Sequence, residues 1–121
     1  PYGFDMSYTT FEFSNAIFNV DGDNVIARCD VKNIGELKGD EVVQFYVGFS
    51  NSKIDRPIKS LKGFQRITLN PGETKEVCIS CPIEELKWYS ENGWELEHMI
   101  YDAYIGSSSS DKDLLKGNFQ L

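Results

Sequence analysis

The sequence is poor in the residues on which most enzyme chemistry depends. His98 is its only histidine, and no serine, base and acid accompany it as nucleophilic catalysis requires. P-loop, dinucleotide-binding and zinc-ligand spacings are absent, and no N-linked glycosylation sequon occurs. The sequence therefore predicts no catalytic, cofactor-binding or metal-binding residue, and we interpret His98 as a surface residue.

The sequence has three cysteines, and this small, odd number does not favour a disulfide framework. Cys78 and Cys81 form a C-x-x-C pair, but residues 74–81 have the pattern of a strand, where positions three apart point to opposite faces. We therefore predict unpaired thiols, with Cys29 and Cys81 facing the core and Cys78 facing outward. Unpaired cysteines favour a reducing compartment such as the cytoplasm.

Basic residues are outnumbered, 12 against 19 acidic residues, which gives a net charge of −7. This balance argues against nucleic acid or an anionic membrane as a partner, and no apolar run approaches the roughly 20 residues of a membrane helix. Residues 53–66 are the exception, because five basic residues and one acidic residue give them a balance of +4. Two interpretations stay open for this segment: an ordinary solvated surface, or a basic loop that meets an acidic neighbouring domain.

The hydrophobic pattern predicts an all-β fold. Short alternating segments are separated by turn signals every 8–12 residues, which is typical of an antiparallel β-sandwich, here of seven to eight strands. The set Val25, Ala27, Cys29 and Val31 is predicted to point inward, and residues 40–47 are expected to form a central strand covered on both faces. Asp21–Asn24 is interpreted as a hairpin turn, because a calcium loop needs more oxygen ligands at regular spacing.

Several segments occur in a recognisable order and spacing: Arg56–Arg66 (RPIKSLKGFQR), Asn70–Thr74 (NPGET), Asp40–Val47 (DEVVQFYV), Leu86–Tyr89 (LKWY) with Trp94, and Gly106–Asp111 (GSSSSD). Together they resemble the fibronectin type III-like domain that closes many glycoside hydrolase family 3 enzymes, such as β-glucosidases and β-xylosidases. The likeness spans nearly all 121 residues. It implies an immunoglobulin-like sandwich at residues 12–121, with residues 1–11 as a lead-in from the preceding catalytic domain.

The resemblance also implies what this chain does not do. In that family the nucleophilic aspartate and the acid/base glutamate belong to domains upstream of the matching region, so no carboxylate here inherits either role. The chain alone is predicted to be inactive and to act as a non-catalytic interdomain-packing domain of a β-glucosidase-type enzyme. It begins at Pro1 without an initiator methionine, which agrees with a piece of a longer protein. An independent carbohydrate- or protein-binding module is the alternative.

The predicted partners are the catalytic domains of the same enzyme, with a contact between copies as a further possibility. Apolar side chains at every second position of the lead-in, among them Tyr2, Phe4 and Tyr8, would give an extended segment one apolar face. Arg56, Lys59 and Phe64 lie in the basic segment, where apolar and charged residues interleave as they do at interfaces. We predict that these six residues contact the catalytic part.

One aromatic cluster has two interpretations. Trp88, Tyr89 and Trp94 form either a buried aromatic corner, as sandwich folds commonly have, or an exposed row that stacks on sugar rings. The sequence favours the buried corner.

Overall fold

The computed structural model describes residues 9–108 and 114–121. Within them the chain forms nine β-strands and one short 3₁₀ helix (Ile83–Leu86). The strands are β1 (Phe11–Asp21), β2 (Asn24–Asn33), β3 (Gly39–Gly48), β4 (Lys59–Leu69), β5 (Thr74–Pro82), β6 (Trp88–Ser90), β7 (Gly93–Glu95), β8 (Ile100–Ser107) and β9 (Leu115–Gln120).

Seven of these strands build two antiparallel sheets that pack face to face. One sheet has the order β1-β2-β5 and the other β4-β3-β8-β9, while β6 and β7 form a separate small hairpin. The predicted all-β sandwich is therefore confirmed. The count rises to nine because the hairpin adds two strands of three residues each.

Alternation along the strands places the core between the sheets, because successive side chains of a strand point to opposite faces. Val25, Ala27, Cys29 and Val31 of β2 are all at most 1% exposed, as predicted. Cys81 is likewise buried and Cys78 is exposed, and all three thiols are unpaired. The opposite sheet contributes its own inward set, which includes Val43, Phe45, Val47, Ala103 and Ile105.

Two glycines let the edges of the sheets approach each other closely. A Cβ at Gly63 of β4 would lie 2.6 Å from Cγ2 of Ile79 on β5. On the opposite side, a Cβ at Gly117 of β9 would lie 2.6 Å from Cδ2 of Phe18 on β1. Contacts this short leave no space for a side chain, so the sandwich is closed along both flanks.

A buried amide closes the end of the sandwich where the described chain begins. Asn33 is 0% exposed, and its Nδ2 donates to the carbonyl oxygens of Leu37 (2.8 Å) and Leu69 (3.0 Å). Its Oδ1 accepts from Thr9 Oγ1 (2.5 Å) and the backbone N–H of Gly35 (2.9 Å). Because both donors and both acceptor sites are used, the burial of this polar group is compensated.

The aromatic cluster departs from the favoured interpretation. Tyr89 and Trp94 are 70% and 66% exposed, so the prediction of a buried corner is wrong for both. They are cross-strand partners in the β6–β7 hairpin, with ring centroids 5.2 Å apart and edge to face. The hairpin lies outside the two sheets, and its rings therefore cover each other instead of entering the core. Trp88, on the other side of the hairpin, is half-buried.

Candidate interdomain surface

Arg56 holds the loop between β3 and β4 against the rest of the domain. Its guanidinium forms an ion pair with Glu97 (Nη1–Oε1 2.7 Å) and donates to the carbonyl oxygen of Leu86 (2.6 Å). It also lies over the ring of Phe49, 4.0 Å from the centroid, where a cation interacts favourably with the aromatic face. Both members of the ion pair are largely buried, with side chains 9% and 14% exposed.

The carboxylate of Glu97 accepts several hydrogen bonds from this loop. Its Oε1 also accepts from Ser52 Oγ (2.6 Å), and its Oε2 accepts from the backbone N–H of Lys53 (3.1 Å). Burial raises the pKa of Glu97, but the hydrogen bonds from Ser52, Arg56 and Lys53 outweigh burial and hold that pKa below its ordinary value of 4.5. Glu97 therefore remains ionised and keeps its donors.

We call this arrangement of Arg56, Glu97, Phe49 and Ser52 the clasp. It fixes the loop, yet the loop presents Ile58 to solvent with 89% of the residue exposed. An ordered segment that displays a large apolar side chain has the properties of a contact surface rather than of a mobile loop. Arg56 was predicted from sequence as an interdomain contact, and the structure gives its side chain an intradomain partner.

The outward face of the four-stranded sheet continues from this loop. Cross-strand partners place Leu61, Tyr46, Tyr104 and Lys116 in one row across β4, β3, β8 and β9. The Nζ of Lys59 lies 5.1 Å from the ring centroid of Tyr46 and 5.3 Å from that of Tyr104. The Nζ of Lys116 lies 5.7 Å from the centroid of Tyr104. Aromatic rings with ammonium groups above them thus cross the middle of this face.

A second row contains an exposed phenylalanine. Phe64 is 66% exposed and pairs with Gln44, which pairs in turn with Gly106. Arg66 and Val42 form the next pair on β4 and β3. We call the whole surface, with both rows and Lys59, the aromatic–basic face. β3 is central, as predicted, but residues 9–108 and 114–121 cover only its inward side fully, since its outward side chains are half-buried.

The outward face of the three-stranded sheet has a different composition, and we call it the polar face. Its outward positions, read from the strand register, are mostly polar or charged: Glu12, Ser14, Asn19, Arg28, Asp30, Lys32, Thr74, Glu76, Cys78 and Ser80. Ile17 and Ile26 are apolar exceptions, and each is flanked by polar partners. This surface matches one that normally faces water.

The six residues predicted to contact a catalytic part do not lie together in the structure. Tyr2, Phe4 and Tyr8 lie outside the described residues. The structure brings Lys59 and Phe64 together on β4, whereas the side chain of Arg56 points into the clasp. Sequence reasoning missed Glu97 as the partner of Arg56, although its acidic side chain beside a strongly basic segment was the available signal.

No cluster that could form a metal centre is found among the described residues. Residues 9–108 and 114–121 contain no group of three or more histidine, cysteine, aspartate or glutamate side chains that could hold a metal ion. His98 is exposed. In the same part of the chain, no helix is long and apolar enough to cross a membrane.

Both the sequence and the fold of this chain match a known domain family. A family model described as "Fibronectin type III-like domain" matches residues 41–109, which is more than half of the chain. The chain belongs to this family. The fibronectin type III-like domain also occurs in a solved β-glucosidase 3B from Thermotoga neapolitana in complex with α-D-glucose, with a TM-score of 0.84 and 34% identity. That match covers 97% of this chain and 16% of the Thermotoga chain.

Two curated relatives are also β-glucosidases. A β-glucosidase of Kluyveromyces marxianus is 41% identical over 115 residues, and a periplasmic β-glucosidase of Salmonella typhimurium is 36% identical over 127 residues. The alignments cover 92% and 100% of this chain. The chain spans only 14% and 16% of the lengths of these two relatives, so in each of them the fibronectin type III-like domain is a small part of a larger protein.

Proposed function

We propose that this fibronectin type III-like domain is a non-catalytic packing domain of a β-glucosidase-like family 3 glycoside hydrolase, and that it docks on the catalytic part of the same protein. One observation carries the proposal: the clasp holds the loop before β4 in a fixed conformation while Ile58 stays 89% exposed. An apolar side chain held in water by an ordered segment is preorganised for a partner, since docking then costs little further entropy.

Further along β4 the same property recurs. Leu61 and Phe64 are 46% and 66% exposed, so β4 and the loop before it display three large apolar side chains in succession. Groups of this kind supply burial at interfaces, and neighbouring charges set orientation. Lys59 lies between them in the sequence and completes this mixture. The docking residues in this proposal are Ile58, Lys59, Leu61 and Phe64, with the lead-in residues Tyr2, Phe4 and Tyr8 as further contacts.

The test compares one double variant in two contexts. In the 121-residue chain, Ile58→Ala with Phe64→Ala should change the free energy of unfolding by about 0.5 kcal/mol or less per site, as exposed substitutions do. In the full-length protein the same pair should lower stability by about 2 kcal/mol or more, because each removes a buried anchor. Thermal melts of both proteins measure the difference.

The polar face supplies a matched control. Ile17 on β1 is 54% exposed and Ile26 on β2 is partly exposed, and both lie on the polar face, so Ile17→Ala with Ile26→Ala removes apolar surface from the opposite sheet. This control should have the same small effect in both contexts. Equal effects of the two double variants in the full-length protein would refute docking through β4. The 121-residue chain should also release no product from aryl glucosides or xylosides.

A second candidate rests on the exposed rings of Tyr89 and Trp94. Sugar rings stack on aromatic side chains presented in this way, and the exposure of both residues favours a carbohydrate-binding module more than the sequence did. Titration of the 121-residue chain with cello-oligosaccharides, followed by tryptophan fluorescence, separates the two candidates. A saturable change that Trp94→Ala abolishes and Phe64→Ala preserves would support binding of sugar by the hairpin.

A further inference from the structure

We propose that Asn92 is a site of spontaneous deamidation, because the β6–β7 hairpin holds its side-chain amide in an exposed turn directly before a glycine. Asn92 lies between β6 and β7 and precedes Gly93, and none of the other seven asparagines of the chain precedes a glycine. The inference concerns a covalent change of the hairpin. It is independent of the proposed docking through β4.

The reaction requires only the chain and water. The backbone nitrogen of Gly93 attacks the Cγ carbon of Asn92, and the new C–N bond closes a succinimide ring. The bond from Cγ to the side-chain nitrogen breaks, and that nitrogen leaves as ammonia with the proton of the Gly93 N–H. Water then opens the ring at one of its two carbonyl carbons, which gives either aspartate or isoaspartate, whose backbone runs through the side chain. Because both reacting atoms belong to neighbouring residues, the attack is intramolecular and is favoured once they are aligned.

The turn leaves the amide of Asn92 accessible and places a glycine beside it. Asn92 is exposed. Its backbone N–H donates to Ser90 Oγ (3.0 Å), whereas no hydrogen bond within residues 9–108 and 114–121 engages its side-chain amide. Gly93 has no Cβ to obstruct the attack, and its φ of +99° is a conformation that glycine adopts at little cost. The residue that the turn needs is therefore also the residue that leaves Asn92 reactive.

The hairpin is short enough to supply the movement that ring closure requires. In the described chain, β6 and β7 have three residues each and pair only with each other. A two-stranded hairpin is marginally stable by itself, and segments with few backbone hydrogen bonds open locally at a small cost in free energy. Such opening lets the nitrogen of Gly93 approach the Cγ of Asn92 while both sheets stay folded.

Isoaspartate at this position disrupts the hairpin. Ser90 Oγ accepts from the N–H of Asn92 and is a donor toward the carbonyl oxygen of Gly93 (3.1 Å) and the carboxylate of Glu95, so one hydroxyl joins both strands. Isoaspartate adds a methylene to the backbone of the turn and shifts these groups apart. Either product also adds a negative charge near that of Glu95, and like charges repel. The contact between the two exposed rings of the hairpin, with centroids 5.2 Å apart, should then be lost.

The experiment compares two Asn-Gly sequences in one folded chain. Ala16→Gly puts a glycine after Asn15, which is also exposed but lies within β1, and whose Nδ2 donates to Oδ2 of Asp30 (2.8 Å). The 121-residue variant, shown to be folded by a thermal melt, is kept in mildly alkaline buffer. Peptide mass spectrometry follows the conversion, and an isoaspartate methyltransferase assay identifies the product. Asn92 should convert at least about 10-fold faster than Asn15, a difference of about 1.4 kcal/mol in barrier. In guanidinium chloride both should convert at equal rates.

Fluorescence then tests the consequence for the hairpin. Tryptophan emission of the native chain should change as isoaspartate accumulates, whereas Asn92→Gln, whose longer side chain does not close the same ring, should show neither the product nor the change. If Asn92 stays intact in the folded chain, or converts no faster than Asn15 in the folded variant, the assigned site is wrong. Aspartate without isoaspartate would overturn the succinimide route, and isoaspartate with unchanged emission would overturn the effect on the hairpin.

Discussion

The two outward faces of this sandwich come from the same alternation of side chains but differ in chemistry. The polar face alternates charges of both signs with small hydroxyl side chains, and its large apolar residues, such as Ile17, stand singly. The aromatic–basic face carries tyrosine rings, lysine ammonium groups near those rings and an exposed phenylalanine. Since the core needs only one side of each sheet, the outward side of each is available for another purpose, and here only one of them has the composition of a contact surface.

The difference between the two faces indicates which of them a partner would cover. Isolated apolar side chains on a surface are ordinary, whereas apolar residues in adjacent rows beside a fixed loop are not. The clasp adds to this difference. In it, the largely buried side chains of Arg56 and Glu97 order the loop next to the aromatic–basic face. Among the described residues, no ion pair of this kind orders a loop beside the polar face.

Removal of the clasp should have the largest effect. Arg56→Ala leaves Glu97 without its ionic partner and Phe49 without its cation, and breaking a buried pair in this way costs about 3 kcal/mol. Urea denaturation of the 121-residue chain measures this loss. Arg66→Ala, an exposed cation of β4, is the control and should change stability by about 0.5 kcal/mol or less. A similar, small effect of both variants would show that the clasp does not order the loop.

Acid should weaken the same region by a smaller amount. The pKa of Glu97 is lower in the folded chain than its ordinary value of 4.5, so its contribution is fully present above that value and is lost as pH falls through the folded pKa. Glu97→Gln removes this contribution. The difference in unfolding free energy between the native chain and the variant should therefore shrink as the pH falls below 4.5. A difference that stays constant would contradict the assignment.

The smallest effect concerns thiol labelling, which tests whether Cys78 lies on the polar face. Cys78 should be labelled quickly in the native chain, whereas Cys29 and Cys81 should react only in denaturant. Burial, with a contribution from Asp30, raises the pKa of Cys29 to about 12, and burial likewise raises that of Cys81 to about 11. Both groups therefore stay as unreactive thiols at neutral pH. Labelling of all three at one rate would mean that the sheet register is wrong.

Much of the fold could be predicted from the sequence, because a two-residue period specifies which side of a strand is inward. Val25 to Val31 and Val77 to Cys81 carry that signal clearly, and the structure follows it. The hairpin aromatics could not be placed in this way. Tyr89 and Trp94 belong to strands of three residues, too short for a period, and ring size alone does not tell whether a neighbouring layer exists to cover them.

The candidate surface was only partly predictable for a different reason. Composition identified residues 53–66 as basic and interleaved with apolar groups, and Lys59 and Phe64 do share β4. The sequence could not show that Arg56 turns inward, because its partner Glu97 lies 41 residues away. Nor could it show that Tyr46, Tyr104 and Lys116 align, since that row depends on the register of four strands, which long-range packing decides.

The close approaches at Gly63 and Gly117 have a consequence for how this domain behaves beside other newly made chains. A sheet with open edges offers unpaired backbone donors and acceptors to any other extended segment, and this is a common start of aggregation. Here β4 lies against β5, and β9 lies against β1, too closely for a side chain on either glycine. Close packing of the two sheets at each flank leaves a foreign strand less room beside these edges. A larger residue at either glycine would push the sheets apart at that flank, and we expect such a variant to self-associate more readily during refolding.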